Sequence, residues 1–200
     1  MKTDPESHKR MAQRHKAGFE KKLAAAQKEK GLLMVFTGTG KGKSTAAFGM
    51  GMRILGHGMK LGVVQFIKGA LQSGEREILG AHPQCDFHVV GAGYTWDTQD
   101  READMRTSAN GWAEAVRMIN DPSYDMVILD ELNIVLKYQY LDLDEVLDVF
   151  GKRREMLHIA VTGRHAPEPL IALADLASEI RPIKHPYQEQ GIKAQKGVEF

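Results

Sequence analysis

The sequence predicts an α/β fold, a mainly parallel six-stranded sheet covered by helices on both faces. Three observations carry that prediction. Short apolar runs alternate with helical segments along most of the chain, as crossover connections between parallel strands require. The glycine-rich stretch Thr37-Gly38-Thr39-Gly40-Lys41-Gly42-Lys43-Ser44-Thr45 joins the first apolar run to a helix. Farther on, four consecutive apolar residues, Met126 to Leu129, run into the carboxylate pair Asp130-Glu131, the pattern of a strand buried on both faces.

The elements follow in order. Residues 6–30 contain no proline and one glycine, and Met11, His15, Phe19 and Leu23 recur every four residues. That stripe is too thin to hold a helix alone, so residues 1–30 are expected to form a helical arm lying over the main domain or a second subunit. The domain proper is expected over residues 31–200. Leu32 to Phe36 reads as the first strand and Ala46 to Leu55 as its helix. Lys60 to Ile67 is the second strand, followed by a loop from Lys68 and a short helix through Leu79. Asp86 to Val90 is the third strand. A long helix is expected from Asp100 to Asn120, ending before Asp121-Pro122. The strand at Tyr124 to Glu131 leads into helices over Leu132 to Tyr140 and Asp144 to Leu157. His158 to Gly163 is the fifth strand, a helix runs through Leu176, and Ser178 to Ile183 is a last short strand. The tail from Lys184 to Phe200 reads as mostly irregular.

Strand, glycine-rich turn and helix N-terminus, in that order, make an anion cradle of the P-loop NTPase-like (RecA-like) kind. Gly38, Gly40 and Gly42 let the backbone turn its N–H groups inward, and Lys43 supplies a mobile positive charge. The Ser44 hydroxyl is the expected magnesium ligand. The usual spacing puts a glycine at position 37, where this chain has Thr37, and compresses the glycines to alternate positions. A turn that binds nothing is the plain alternative. Asp130 is expected to hold magnesium directly or through water, and Glu131 stands where many ATPases keep a base. The same pair could instead cap the following helix. Tyr94 and Trp96 project to one side of an extended loop, either capping the core or offering a face to a large planar ligand.

Composition narrows the classes. The single cysteine, Cys85, forms no internal disulfide, no Cys/His pair has zinc spacing, and the eight histidines are scattered. A reducing compartment, the cytoplasm, is expected, with no membrane span or secretory leader. The net charge of +1 conceals an asymmetry: residues 1–30 carry nine Lys/Arg against four Asp/Glu, and the remainder eighteen against twenty-two. Such an arm suits nucleic acid, an acidic surface, or simply solvent.

Several stretches together resemble one family, the ATP:corrinoid adenosyltransferases of the CobA type. They are Thr37 to Gly49, Val64-Gln65-Phe66-Ile67-Lys68-Gly69, Gly93-Tyr94-Thr95-Trp96-Asp97-Thr98 and Leu129-Asp130-Glu131-Leu132-Asn133. Val161-Thr162-Gly163-Arg164, Arg181-Pro182-Ile183-Lys184-His185 and Gly191-Ile192-Lys193-Ala194-Gln195 continue the set in the same order. The resemblance implies that a Co(I) corrinoid attacks the 5′-carbon of ATP and releases triphosphate, in cobalamin biosynthesis or salvage. It implies a homodimer whose N-terminal helix covers the corrinoid, an electron-donating flavoprotein or similar reductase, and an ATP pose reversed from the common one.

By the same resemblance, residues 38–45, Glu131 and Arg164 hold the nucleotide, and Ser44, Asp130 and Glu131 hold Mg2+ (or Mn2+). Lys41 and Lys43 face the triphosphate. Tyr94 and Trp96 exclude the lower axial ligand of cobalt, which eases its reduction. The family often has phenylalanine where Tyr94 stands, asparagine at Thr39 and threonine at Ser44. Two other classes compete: an ATPase or kinase releasing ADP, and a nucleic-acid-dependent ATPase using the basic arm. The near-neutral remainder of the chain does not encourage the latter, and no nucleic-acid partner is expected.

Overall fold

A computed structural model describes residues 4–67, 73–90 and 100–199. The expected loop from Lys68 and the aromatic pair Tyr94 and Trp96 lie outside the described residues. The chain divides into two units, residues 1–30 and 31–200. In the first, α1 (Pro5–Ala25) begins where proline favours a first turn, with the Asp4 carboxylate accepting from Ser7 N at 3.2 Å. It stops five residues short of the expected Lys30, and none of its residues is buried. Exposed i,i+4 pairs such as Arg10–Glu6 line its surface.

The second unit is a six-stranded parallel sheet in the order β3-β2-β4-β5-β1-β6. Its strands are β1 (Leu33–Thr37), β2 (Leu61–Gln65), β3 (Cys85–Val89), β4 (Met126–Asp130), β5 (His158–Thr162) and β6 (Leu176–Glu179). Between them lie α2 (Lys43–Gly56), α3 (Gly74–Gly80), α4 (Arg101–Asn120), α5 (Leu132–Lys137), α6 (Leu143–Gly151) and α7 (Glu168–Leu173), with α8 (Pro186–Gln190) after β6. The alternation of side chains along each strand splits the interior into two cores. Met34, Phe36, Met126 and Ile128 pack with Ala47, Phe48 and Leu55 of α2 on one face. Leu33, Val35, Val127 and Leu129 pack with Trp112, Leu132, Phe150 and Leu170 of α4 to α7 on the other.

Each Val, Leu, Ile, Phe or Met side chain fully buried there contributes about 1.5–3 kcal/mol, whereas an exposed ion pair contributes about 1 kcal/mol or less. The two cores therefore fix the sheet, and the sheet fixes the loops at its carboxyl edge. Among the described residues no helix is long and apolar enough to cross a membrane.

Further boundaries differ from expectation, and the helix expected over Leu132 to Tyr140 already ends at Lys137. The helix expected to reach Leu157 ends at Gly151, because Arg154 turns back to donate to the carbonyls of Ile119, Asp121 and Tyr124 at 3.3, 3.0 and 2.7 Å. The helix expected through Leu176 ends at Leu173, and the last strand is Leu176–Glu179 rather than 178–183. Asp175 fixes that strand's start: its N–H donates to Leu33 O at 2.8 Å and its carboxylate accepts from Leu33 N at 2.9 Å. Pro182 has no N–H to extend a ladder, and the last bond between these segments runs from Gly40 N to Ile180 O.

Candidate active site

Parallel strands deliver their carboxyl ends to one edge, and there the polar residues collect. Register places Gln65 opposite Asp130 and Phe36 opposite Thr162. The Asp130 carboxylate is buried and accepts from Gln65 Nε2 at 2.8 Å and from the Thr162 hydroxyl at 2.7 Å. Thr162 Oγ1 in turn accepts from Glu131 N at 3.0 Å. Glu131 leaves the strand in the left-handed region, φ 62°, and starts α5 without capping it by its side chain. The capping alternative for the acidic pair is thereby excluded at that helix.

The loop after β1 enters α2 through Gly42 at φ 112°, and no side chain caps the helix. Its first-turn N–H groups are thus left to another acceptor. Lys43 is 8% exposed and donates to Gly40 O at 2.7 Å. Burial lowers the affinity of its amine for a proton; Glu131 opposes that, and Arg164 adds to it. The Glu131 carboxyl is pushed up to about 7, first by burial and then by Asp130 beside it, while Lys43 and Arg164 pull it back.

The glycines divide their work differently from expectation. Gly38 (φ 100°) and Gly42 have positive φ, but Gly40 donates its N–H at 2.7 Å to Ile180 O instead of turning it toward a ligand. A Cβ on Gly40 would lie 2.8 Å from Ile180 O, so this glycine is needed for close packing against the segment after β6.

These residues line a cleft of about 620 Å3 that takes in Gly40 to Thr45, Asp130, Glu131 and Arg164. The structure thus brings together most of the expected set. Gly38 and Thr39 are not among the lining residues, and Tyr94 and Trp96 lie outside the described ones. Sequence reading assigned no role to Gln65, Thr162 or Asn133, although all three fall in the motif stretches. Asn133 is buried and donates to Gly163 O at 3.0 Å, tying the loop that bears Arg164 to the start of α5. A polar residue closing an apolar strand was the available signal for Gln65 and Thr162. Nothing local signalled Val198 and Glu199, which line the cleft from the far end of the chain. Lys41, expected at the triphosphate, is paired with Glu199 at 2.5 Å.

A parallel sheet with a lysine-bearing glycine loop after β1 and a buried carboxylate ending β4, with β5 between the two strands, defines an α/β protein of the P-loop NTPase-like class. Comparison with known proteins narrows the class. The family model for ATP:corrinoid adenosyltransferase BtuR/CobO/CobP matches residues 29–200, and the chain belongs to that family. A corrinoid adenosyltransferase of Pseudomonas aeruginosa is 48% identical over 194 residues, covering 96% of this chain and 95% of that protein. The corrinoid adenosyltransferase of Escherichia coli K12 is 45% identical over 195 residues, covering 98% of each chain. Corrinoid adenosyltransferase CobA of Salmonella typhimurium is 44% identical with the same coverage.

Proposed function

We propose that this chain transfers the 5′-deoxyadenosyl group of ATP to the Co(I) centre of a corrinoid and releases triphosphate. The observation that carries the reading is the family match over residues 29–200, which includes every residue lining the cleft. In the transfer, an electron pair on Co(I) forms the bond to C5′. The C5′–O bond breaks, and its pair leaves on the triphosphate oxygen. Cobalt is formally oxidised by two electrons, and no proton has to be removed.

The work left to the protein is positioning and charge. Negative charge grows on the departing oxygen, and the uncapped first turn of α2 with the Lys43 ammonium offers donors to stabilise it. Lys41 and Arg164 add positive charge at the rim. Because Co(I) carries no proton, Glu131 is not needed as a base. Burial and the adjacent Asp130 disfavour the charge of the Glu131 carboxyl, and a divalent cation between the two side chains fits that chemistry. Among the described residues no group of three His, Cys, Asp or Glu stands together, so phosphate oxygens and water would have to complete the shell of any ion held here. Mg2+ (or Mn2+), held by Ser44, Asp130 and Glu131, would supply Lewis-acid neutralisation of phosphate charge.

Gln65 and Thr162 orient Asp130 so that it presents a fixed carboxylate. Tyr94 and Trp96 are assigned to the corrinoid face by family resemblance. The same resemblance supports a cytoplasmic homodimer in which residues 1–30 cover the corrinoid, and a reductase that delivers the electron to cobalt.

The test is anaerobic incubation of the full chain with ATP, Mg2+ and chemically reduced cob(I)alamin. A light-sensitive alkyl-cobalt product together with triphosphate is expected, and Lys43→Ala should abolish both. ADP accumulating beside an unchanged corrinoid would refute the proposal and establish an ordinary ATPase or kinase.

A further inference from the structure

Two lysines rise from the loop after β1, and the fold treats them differently. Lys43 is buried and bonded to the loop's own backbone, whereas the Lys41 side chain is 53% exposed and pairs with Glu199 at 2.5 Å. The Glu199 side chain is itself only 19% exposed. A local turn aims it: Val198 N and Glu199 N both donate to Gln195 O, at 3.2 and 2.9 Å. Gly197 supplies the left-handed residue that the turn needs, at φ 80°. Glu199 therefore reaches the cleft as a fixed anion, more than 150 residues from its partner in sequence. A carboxylate oxygen on a lysine ammonium makes the same charge-assisted bond as a phosphate oxygen.

We infer that Glu199 is an internal competitor for Lys41: its carboxylate takes the ammonium that a triphosphate oxygen would otherwise hold, and re-forming the pair helps triphosphate leave. The inference rests on the proposed transfer, in which intact triphosphate is the product to be expelled. Glu199 acts only through Lys41 and is a positioning residue. Removing its charge should strengthen anion binding and slow product departure. A pair exposed on its lysine side is worth about fivefold in Kd, ~1 kcal/mol at about 1.4 kcal/mol per decade.

The experiment is calorimetric titration of Mg2+-triphosphate into the full-length chain, its Glu199→Gln variant, and the same substitution in a Lys41→Ala background. Glu199→Gln should bind triphosphate about fivefold more tightly, and in steady state lower the KM for ATP and strengthen inhibition by triphosphate. In the Lys41→Ala background the second substitution should change nothing. A merely structural role for the turn would alter binding in both backgrounds and would overturn the inference. Equal or weaker triphosphate binding by Glu199→Gln, with wild-type binding intact, would overturn it as well. Absence of triphosphate binding by the wild-type chain would instead refute the proposed function, and the inference with it.

Discussion

Glu131→Gln separates what this residue costs the fold from what it gives the site. The substitution keeps the shape of the side chain and the backbone at φ 62°, and removes only the ionisation. In the folded chain the Glu131 carboxyl ionises at about 7, against an ordinary value of 4.5. The gap of two and a half pH units, at about 1.36 kcal/mol each, is about 3 kcal/mol.

The direction follows from the raised value. Below about pH 4.5 the carboxyl is protonated in both states and costs nothing. As pH rises toward 7 the unfolded chain sheds the proton first, so stability is progressively lost. Above 7 the whole penalty is present.

Urea unfolding without nucleotide, in EDTA, should find Glu131→Gln within about 1 kcal/mol of wild type at pH 5 and about 3 kcal/mol more stable at pH 8. The rise in Tm on adding Mg2+-ATP should shrink in the same variant. If Glu131→Gln is no more stable than wild type at pH 8, the ionised carboxylate is well accommodated without a cation, and the reasoning about the acidic pair fails.

Gly38→Ala places a Cβ 2.4 Å from Ile180 O at φ 100°, so a loss of about 3 kcal/mol or more is expected in thermal unfolding. Gly42→Ala, at φ 112° with nothing within 4 Å, should cost only about 1–2 kcal/mol; equal losses would show that backbone strain alone matters. Thr162→Val leaves Asp130 Oδ1 and Glu131 N without their bonds to Oγ1, at about 2–4 kcal/mol for the two, while Thr162→Ser should retain most of the stability. A denaturation midpoint for the Val variant equal to wild type would count against the network.

Much of the molecule was legible because its signals are local. An apolar run of strand length followed by a glycine-rich turn fixes β1, the loop and α2 with little reference to the rest. The run from Met126 to Leu129 has no polar side to expose, so it had to lie inside a sheet covered on both faces. Element ends were harder to read. Gly151 closes α6 only because Arg154 finds three carbonyls contributed by α4 and the loop beyond it. The start of β6 depends on Asp175 meeting Leu33, 142 positions away. Both are decided by partners that periodicity does not contain.

The same division holds at the site. From the order of residues alone, Lys43, Ser44, Asp130 and Glu131 could be grouped, because a strand that ends in a loop must deliver its last residues to the sheet's carboxyl edge. That Gly40 serves packing, that Gln65 and Thr162 hold Asp130 from both sides, and that Glu199 reaches Lys41 were settled only by the tertiary structure. Hydrogen bonds and ion pairs act over about 3 Å in space and are indifferent to separation along the chain. Local sequence therefore determines which groups exist and which elements carry them. Which of those groups meet is determined by the order in which the sheet places its strands.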